Sequence, residues 1–447
     1  MKRLAFLAAL CALAAALAPE RAPEIEREVQ RIAGSRALWP GFEPLAIPLA
    51  VYDGQRTWLF RHPAPPEGFA PVPGAHVYPG RHPAVTSNTS EDLGGTVSAT
   101  LMADRPGAAP AELAAVALHE AFHVFQRRRH PGWQANEGDL LLYPFDNAKL
   151  LGRRRLESEA LRRALAEPKT AACWARQFLA WRRERFAAID PAFAAYERGT
   201  ELNEGLAQYI QLLAAGRTPE IPADEFAAAE VRHRIYTTGP AIAFLLDRLR
   251  PGWQASLEAD DKKLLEDLLA GAAAEAKREG DDCAFTPAEI ERVERVARAD
   301  TAAIRAGRTA RRQAFDARPG WRVVIQAAEG RPLWPQGFDP LNVELVDGGL
   351  LHTRFLRLGN DAGKAEAIDG EGTDLEALTE GIGPHPLFNG VRRAAIAGLP
   401  KPEIRSEGGT VEIHAPGLSL RFENARVEVR GTEAVVSLQG GGPPTGG

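Results

Sequence analysis

The segment 118–125 reads Leu-His-Glu-Ala-Phe-His-Val-Phe and places two histidines and a glutamate in the spacing His-Glu-x-x-His. His119 and His123 are four residues apart, so on an α-helix their side chains lie on one face, one turn apart. Both imidazoles can then bind one zinc ion at about 2.0–2.1 Å. Glu120 lies about 100° around the helix, where its carboxylate can reach a water molecule at the ion and act as a general base. The pattern therefore predicts a zinc-dependent hydrolytic site.

A catalytic zinc ion requires a third protein ligand and one open coordination position. The candidate is Glu204, on a predicted helix that has an apolar stripe and a polar face, the latter shared with Glu201. Glu157 and Glu159, in the helical segment between the histidines and Glu204, are rival ligands, and so is Glu201. On the residues alone, a polar face of this kind more often simply contacts water.

The two histidines must lie on a helix for this site to form, and segment 108–129 has the features of one. Pro110 and Glu112 suit the first helical turn, apolar residues recur at spacings of three and four, and three arginines precede Pro131-Gly132. Residues 107–316 are expected to form a helical catalytic domain. Its further helical patterns, separated by Pro and Gly, are 148–166, 170–189, 191–215, 226–249, 264–278 and 287–312.

Strand patterns flank this helical part on both sides, so the expected fold is α+β. Segments 374–380 and 391–396 are predicted as short helices. The predicted strands are 46–52, 57–61 and 95–102 before the helical part, and 409–414, 417–422, 426–430 and 433–438 after it. The expected order is a β-rich N-terminal section at 19–106, the helical domain at 107–316, a β-rich C-terminal domain at 317–439 and a flexible tail at 440–447.

The first 18 residues have the features of a secretory signal sequence. A basic start, Lys2-Arg3, precedes an apolar run that ends with small residues at Ala16 and Ala18. No later run approaches the ~20 apolar residues that a membrane span needs, so no membrane span is expected in the mature chain. Plentiful Arg, Ala, Gly and Pro with scarce Lys indicate a bacterial source. We therefore expect an exported protein, either periplasmic or secreted.

Charge and cysteine content narrow the class of protein further. Lys and Arg number 54 against 59 Asp and Glu, the net charge is −5, and no basic stripe alternates with aromatic residues, so nucleic-acid binding is not expected. Removal of the signal sequence leaves Cys173 and Cys283. In an oxidising compartment they could form one disulfide or stay as two separate buried thiols.

The segment that contains Glu204, Asn-Glu-Gly-Leu-Ala-Gln-Tyr at 203–209, resembles the Asn-Glu-Gly-x-Ala-x-Tyr signature of the gluzincins. These are zinc peptidases whose third ligand is a glutamate on a second helix. The resemblance implies a zincin-like catalytic domain in which His119, His123 and Glu204 bind one Zn²⁺ per chain, Glu120 activates water, and the partner is a peptide or protein substrate. The 80 residues between His123 and Glu204 exceed the usual spacing, which implies extra helices inserted between the two ligand helices.

The segment Tyr-Thr-Thr-Gly at 236–239 is similar to the Tyr-x-x-Gly segment of aminopeptidase N-like enzymes. In those enzymes the tyrosine donates a hydrogen bond to the oxyanion, which implies that role for Tyr236, with His233 as the alternative donor. The Gly-x-Met-Glu-Asn segment by which aminopeptidase N relatives hold the substrate amine is absent, and Gly-Gly-Thr-Val-Ser at 94–98 occupies a comparable place. Endopeptidase and aminopeptidase activity therefore both stay open.

Two alternatives accompany this interpretation. The strand predicted at 95–102 can lie along the active-site cleft and pair with an extended peptide, or it can be an internal strand of its sheet. The protein itself can be an exported zinc peptidase or a catalytically inactive binding or scaffold protein with a gluzincin fold. The intact Glu120 favours the enzyme, because an inactive relative has no need of the base.

Overall fold

The computed structural model describes residues 21–105, 107–223, 226–276, 283–368 and 374–440, apart from the side chain of Leu341. The predicted signal sequence at 1–18 lies outside these residues, and so does the predicted tail beyond Gly440. The architecture is mixed α+β with β-rich parts near both ends, as predicted. Contacts divide the chain into two units: the first comprises the residues up to Glu137 together with Ala148–Ala297, and the second comprises Gly138–Asn147 and the residues from Arg298 onwards.

The first unit begins with a helix that the sequence patterns did not predict, α1 (Arg21–Ser35). Its buried Ile25, Val29 and Ile32 recur at spacings of four and three, which is the pattern of one helix face. A six-stranded sheet follows, with the order β3-β4-β2-β1-β6-β5. Its strands are β1 (Leu49–Tyr52), β2 (Arg56–Phe60), β3 (Ala70–Val72), β4 (Ala75–Pro79), β5 (Thr89–Leu93) and β6 (Thr96–Met102).

The strand predicted at 95–102 is β6, and it is internal to the sheet. It pairs parallel with β1 on one side and antiparallel with β5 on the other, so β5 forms the edge. The turn between β5 and β6 consists of Gly94 and Gly95, both with positive φ (63° and 84°). Two successive positive φ angles define the hairpin turn whose twist matches that of the strands, and glycine adopts them without steric cost.

The remainder of the first unit is helical. Where a single helix was expected at 191–215, a π-helical turn at Glu201–Gly205 separates two α-helices. One apolar core is shared by α1, the sheet and the helices. The helices are α2 (Pro110–Arg129), α3 (Ala148–Ala166), α4 (Ala171–Phe186), α5 (Pro191–Thr200), α6 (Leu206–Ala215), α7 (Val231–Leu249), α8 (Gln254–Ala259), α9 (Leu265–Glu275) and α10 (Pro287–Asp316), of which α10 continues into the second unit.

The second unit contains two β-sheets that share one apolar core. One sheet has the order β18-β19-β7-β14-β13-β10-β9 and the other β15-β16-β17-β12-β11-β8. Its strands are β7 (Trp321–Gln326), β8 (Trp334–Phe338), β9 (Val343–Val346), β10 (Gly349–His352), β11 (Phe355–Asn360), β12 (Gly363–Ile368), β13 (Glu376–Gly381), β14 (Val391–Leu399), β15 (Glu403–Glu407), β16 (Thr410–Ala415), β17 (Leu418–Phe422), β18 (Ala425–Arg430) and β19 (Glu433–Leu438). Throughout the described ranges, no helix has the length and apolar character that crossing a membrane requires.

The short helices predicted at 374–380 and 391–396 are wrong, because these segments form β13 and β14. The central strand β14 pairs with β13 on one side and β7 on the other. Four consecutive residues, Ala394 to Ala397, are buried, so both faces of the strand are covered. Alanine favours helices by local propensity, but pairing with two neighbouring strands outweighs that preference here.

Cys173, on α4, and Cys283, just before α10, form a disulfide with a Cα–Cα distance of 6.0 Å. Of the two alternatives that the sequence left open, the cysteines therefore form one disulfide and are not two separate buried thiols. The two cysteines are 110 residues apart, so the bridge closes a long loop and restricts the unfolded chain strongly.

Replacement of both cysteines by serine should lower the free energy of unfolding by about 2–5 kcal/mol, because the unfolded chain regains the entropy of the open loop. Urea unfolding of the mature protein measures this loss. A reductant should lower the midpoint of the wild type and leave that of the double variant unchanged. An equal effect of the reductant on both proteins would contradict the assignment.

Candidate active site

The orientation of α2 is fixed by its apolar face. Phe122 is fully buried and packs edge-to-face against Trp39 and Phe42, with ring centroids 5.5 and 5.2 Å apart. At the start of the helix the Glu112 carboxylate accepts a hydrogen bond from the Ala109 N–H at 3.1 Å, which satisfies one of the free donors of the first turn. Rotation of α2 about its axis would expose this apolar face, so the histidine face keeps a defined direction.

Three side chains converge on one point beside α2. The Nε2 atoms of His119 and His123 are 3.1 Å apart, and Oε2 of Glu204 lies 3.8 and 3.3 Å from them. Ligands about 2.0–2.1 Å from a tetrahedral zinc ion are roughly 3.3–3.5 Å from one another. Two imidazole nitrogens and one carboxylate oxygen at these spacings form a set of donors that could hold a metal ion.

Glu120 contributes a second carboxylate to the same region. One ligand atom from each of His119, Glu120 and His123 lies within 4.8 Å of the others. Glu120 is buried, and this burial raises the pKa of its carboxyl to about 7. For Glu204 burial acts in the same direction, but hydrogen bonds with the two histidines hold the pKa of its carboxyl well below the usual range. Of the two carboxyl groups, that of Glu204 therefore has the lower pKa, as suits a candidate metal ligand.

Glu204 reaches the histidines from the π-helical turn. This turn is wider than an α-helical one, so Glu201 and Glu204 do not share the single polar face that regular helical spacing predicts. The carboxylate of Glu201 is buried and accepts two hydrogen bonds from Arg182, at 2.6 and 2.9 Å. The carboxylate of Glu201 is thereby held inside the protein, while that of Glu204 lies beside His119 and His123.

The three rival ligands lie elsewhere. Glu201 pairs with Arg182, as described. Glu157 is fully buried and pairs with Arg185. Glu159 pairs with two arginines of its own helix. Glu204 also pairs with an arginine, Arg232, but it is the candidate that the structure brings within 4 Å of both histidines.

The helices that carry Glu204 and Tyr236 touch through two glycines. A methyl group on Gly239 would lie 2.6 Å from the Cα of Gly205, and one on Gly205 would lie 2.9 Å from the Cα of Gly239. These are the glycines of the segments Asn-Glu-Gly and Tyr-x-x-Gly. Their physical role is therefore to let the π turn and α7 approach to backbone contact, which brings Glu204 and Tyr236 into one site.

Gln126 connects the two ligand helices. Its side-chain oxygen lies 2.9 Å from Nδ1 of His123, and its amide nitrogen donates to the carbonyl oxygens of Leu202 and Asn203 at 2.9 and 3.0 Å. A proton on Nδ1 that donates to Gln126 leaves the lone pair of Nε2 free for a metal ion, and such outer hydrogen bonds orient metal ligands. Sequence reasoning missed Gln126, although its position three residues after His123 puts it beside that ring.

Tyr236 and Arg232 lie beside Glu204. The rings of Tyr236 and His119 are nearly parallel, with centroids 6.4 Å apart. The guanidinium of Arg232 lies over the Tyr236 ring and donates to Oε1 of Glu204 at 2.9 Å. Burial and the Glu204 carboxylate both raise the pKa of the Tyr236 phenol. The sequence patterns did not identify Arg232 as a site residue, although it precedes Tyr236 by one helical turn.

A cavity of about 530 Å³ opens at this cluster. Residues of the edge strand β5 and of the segment before it reach this cavity, so β5 and not β6 borders it. His233, the alternative oxyanion donor, is exposed, packs against Phe226 with ring centroids 5.7 Å apart, and is not part of the lining. The lining residues are Asn88, Thr89, Ser90, His119, Glu120, His123, Arg127, Gln134, Ala135, Glu137, Thr200, Asn203, Glu204, Arg232 and Tyr236.

Comparison with known proteins adds no assignment: no protein-family model, no curated protein and no solved structure matches this chain.

Replacement of Gln126 by alanine should weaken zinc binding about 10- to 100-fold, because His123 loses the hydrogen bond that orients its ring and the π turn loses its link to α2. Competition with a chelating dye measures the affinity. Gln30→Ala, an exposed glutamine on α1, is the control and should leave the affinity unchanged. Unchanged zinc affinity in Gln126→Ala would show that Gln126 does not orient His123.

Gly239→Ala should lower the free energy of unfolding by about 1–3 kcal/mol, because the added methyl group meets the backbone of Gly205. Gly307→Ala, on α10 with no atom within 4 Å of the added group, is the matched control and should gain about 1 kcal/mol from helix propensity. Urea unfolding of both variants provides the comparison. Equal stability of the two would refute the close contact between the π turn and α7.

Proposed function

We propose that this protein is an exported zinc-dependent peptidase of the gluzincin type. One observation carries the proposal: two imidazole nitrogens and a carboxylate from a second helix converge at spacings suited to one zinc ion, beside the buried carboxylate of Glu120. Three ligands that face an open cavity are typical of a catalytic zinc site, whereas structural zinc sites usually have four Cys or His ligands. Cys173 and Cys283 are bonded to each other and so are not ligands.

His119, His123 and Glu204 would hold the zinc ion, which supplies the Lewis acidity that polarises a carbonyl group and lowers the pKa of water. Glu120 takes a proton from the attacking water as the water oxygen bonds to the carbonyl carbon of the substrate. The carbon–nitrogen bond then breaks, and Glu120 passes the proton to the leaving nitrogen. The products are a carboxylic acid and an amine, and Glu120 returns to its starting charge.

Tyr236 is the oxyanion donor in this proposal. Negative charge grows on the carbonyl oxygen as water attacks, and a positioned hydrogen-bond donor stabilises that charge most when it is greatest. The contacts of the Tyr236 ring with His119 and with the guanidinium of Arg232 support the role, because they hold the phenol at the edge of the metal-binding cluster.

The disulfide supports export to the periplasm or beyond the cell. Disulfides form and persist in oxidising compartments and are rare in the reducing cytosol. The bond between Cys173 and Cys283 therefore agrees with the signal sequence that the first 18 residues predict.

Glu120→Gln should keep zinc and lose cleavage. Loss of a general base costs about 10²–10⁴-fold in rate, while the three ligands stay intact. Elemental analysis should find one zinc ion per chain, and mass spectrometry of a mixed peptide pool should detect cleavage by the wild type that a chelator stops. Glu112→Gln, at the start of the same helix, is the matched control and should cleave at the wild-type rate.

Two results would contradict this proposal. Undiminished cleavage by Glu120→Gln would remove Glu120 from the role of base. A zinc-loaded wild type that cleaves no peptide would leave the catalytically inactive binding or scaffold protein as the function.

A further inference from the structure

Two arginines line the cavity, and they differ in whether a carboxylate pairs with the guanidinium. Arg232 is paired with two carboxylates, Glu204 at 2.9 Å and Glu137 at 3.4 Å. Arg127 donates to the carbonyl oxygen of Ser90 at 3.1 Å and makes no ion pair with any residue that the structure describes. The cavity therefore contains one positive charge that the described residues leave without a carboxylate partner.

Arg127 differs in this respect from the two arginines that follow it on α2. Arg128 donates to the carbonyl oxygen of Val97, and Arg129 pairs with Glu258. Neither of them is among the residues that line the cavity, whereas Arg127 is. Helical spacing explains the difference, because Arg127 lies four residues after His123 and so continues the face that carries the metal-binding histidines.

The position of Arg127 defines what it can reach. Four residues of an α-helix rise about 6 Å, so the Cα of Arg127 lies about that far beyond His123 along the axis. An extended peptide advances about 3.3 Å per residue. A substrate group bound by Arg127 is thus within about two residues of the bond that is cleaved at the cluster.

The hydrogen-bond donors of the Arg127 guanidinium determine which substrate group it can bind. Arginine has five N–H donors, and the bond to Ser90 uses one of them and anchors the side chain on β5. The remaining donors form a planar fork that matches the two oxygens of a carboxylate. Glu137 and Glu204 do not compete for Arg127, because both are paired with Arg232.

We propose that Arg127 binds a carboxylate of the substrate within about two residues of the cleaved bond. The inference rests on the proposed peptidase activity and narrows its substrate class. Preferred substrates are peptides that present either a free C-terminus or an Asp or Glu side chain at that distance. Arg127 is a specificity-determining residue under this proposal, and it takes no part in the proton transfers.

The test compares matched peptides that differ only in the carboxylate. One pair has a free or an amidated C-terminus; the other pair is amidated and carries Asp or Asn two residues from the cleaved bond. The wild type should show a kcat/KM about 10- to 100-fold higher for the carboxylate member of at least one pair, the range expected for a hydrogen-bonded charge. A preference in the first pair shows that Arg127 binds the C-terminal carboxylate, and a preference in the second pair shows that it binds the Asp side chain.

Arg127→Gln should remove this preference. Its kcat/KM for carboxylate peptides should fall about 10- to 100-fold, to the value that the same variant shows for the neutral peptides, because the guanidinium that binds the carboxylate is gone. Arg128→Gln is the matched control, since it removes the same charge from the same helix outside the cavity lining, and it should keep the wild-type preference. Zinc content should be equal in all three proteins.

Binding to the Glu120→Gln protein provides a readout that does not depend on turnover. Calorimetry with the same peptide pairs should show tighter binding of the carboxylate member, and this difference should vanish when Arg127→Gln is added. Equal kcat/KM within both pairs, or a preference that survives Arg127→Gln, would overturn the carboxylate assignment alone. Failure of the zinc-loaded wild type to cleave any peptide would overturn the peptidase proposal and this inference together.

Discussion

The backbone contact between Gly205 and Gly239 is the constraint on which the candidate site depends. It brings the π turn against α7, and Glu204 and Tyr236 line one cavity with the histidines of α2. Gln126 extends the same connection, because it hydrogen-bonds both to His123 and to two carbonyl groups of the π turn. The candidate ligands are thus held by packing and by hydrogen bonds between three helices.

A buried network of ion pairs includes Glu201 of the π turn. Arg182 holds Glu201, while Arg185 holds Glu157 and Glu197, and all five side chains are almost completely buried. Charges in such an environment carry a large desolvation cost, so each requires partners with good geometry. Loss of one partner would leave a buried charge uncompensated, and the turn that presents Glu204 would lose its support.

Local sequence patterns predicted elements well where a single periodicity dominates. The helix predicted at 108–129 and the strands predicted at 409–414 and 433–438 correspond closely to α2, β16 and β19. Patterns failed where tertiary contacts outweigh propensity, as in the alanine-rich β14, which is stabilised by strands on both sides. The edge position of β5 could not be predicted from the sequence either, because strand order depends on pairing between segments distant in the chain.

Without tertiary information, the sequence indicated two candidate metal ligands and a candidate base, because His119 and His123, four residues apart, lie on one face of any α-helix with Glu120 beside them. It also indicated Glu204 and Tyr236, through two short segments that resemble those of known peptidases. The position of Glu204, and not Glu201, beside the histidines depends on the fold, because the π turn separates two side chains that regular helical spacing would place together. Convergence of groups from distant segments depends on helix packing, which no local pattern encodes.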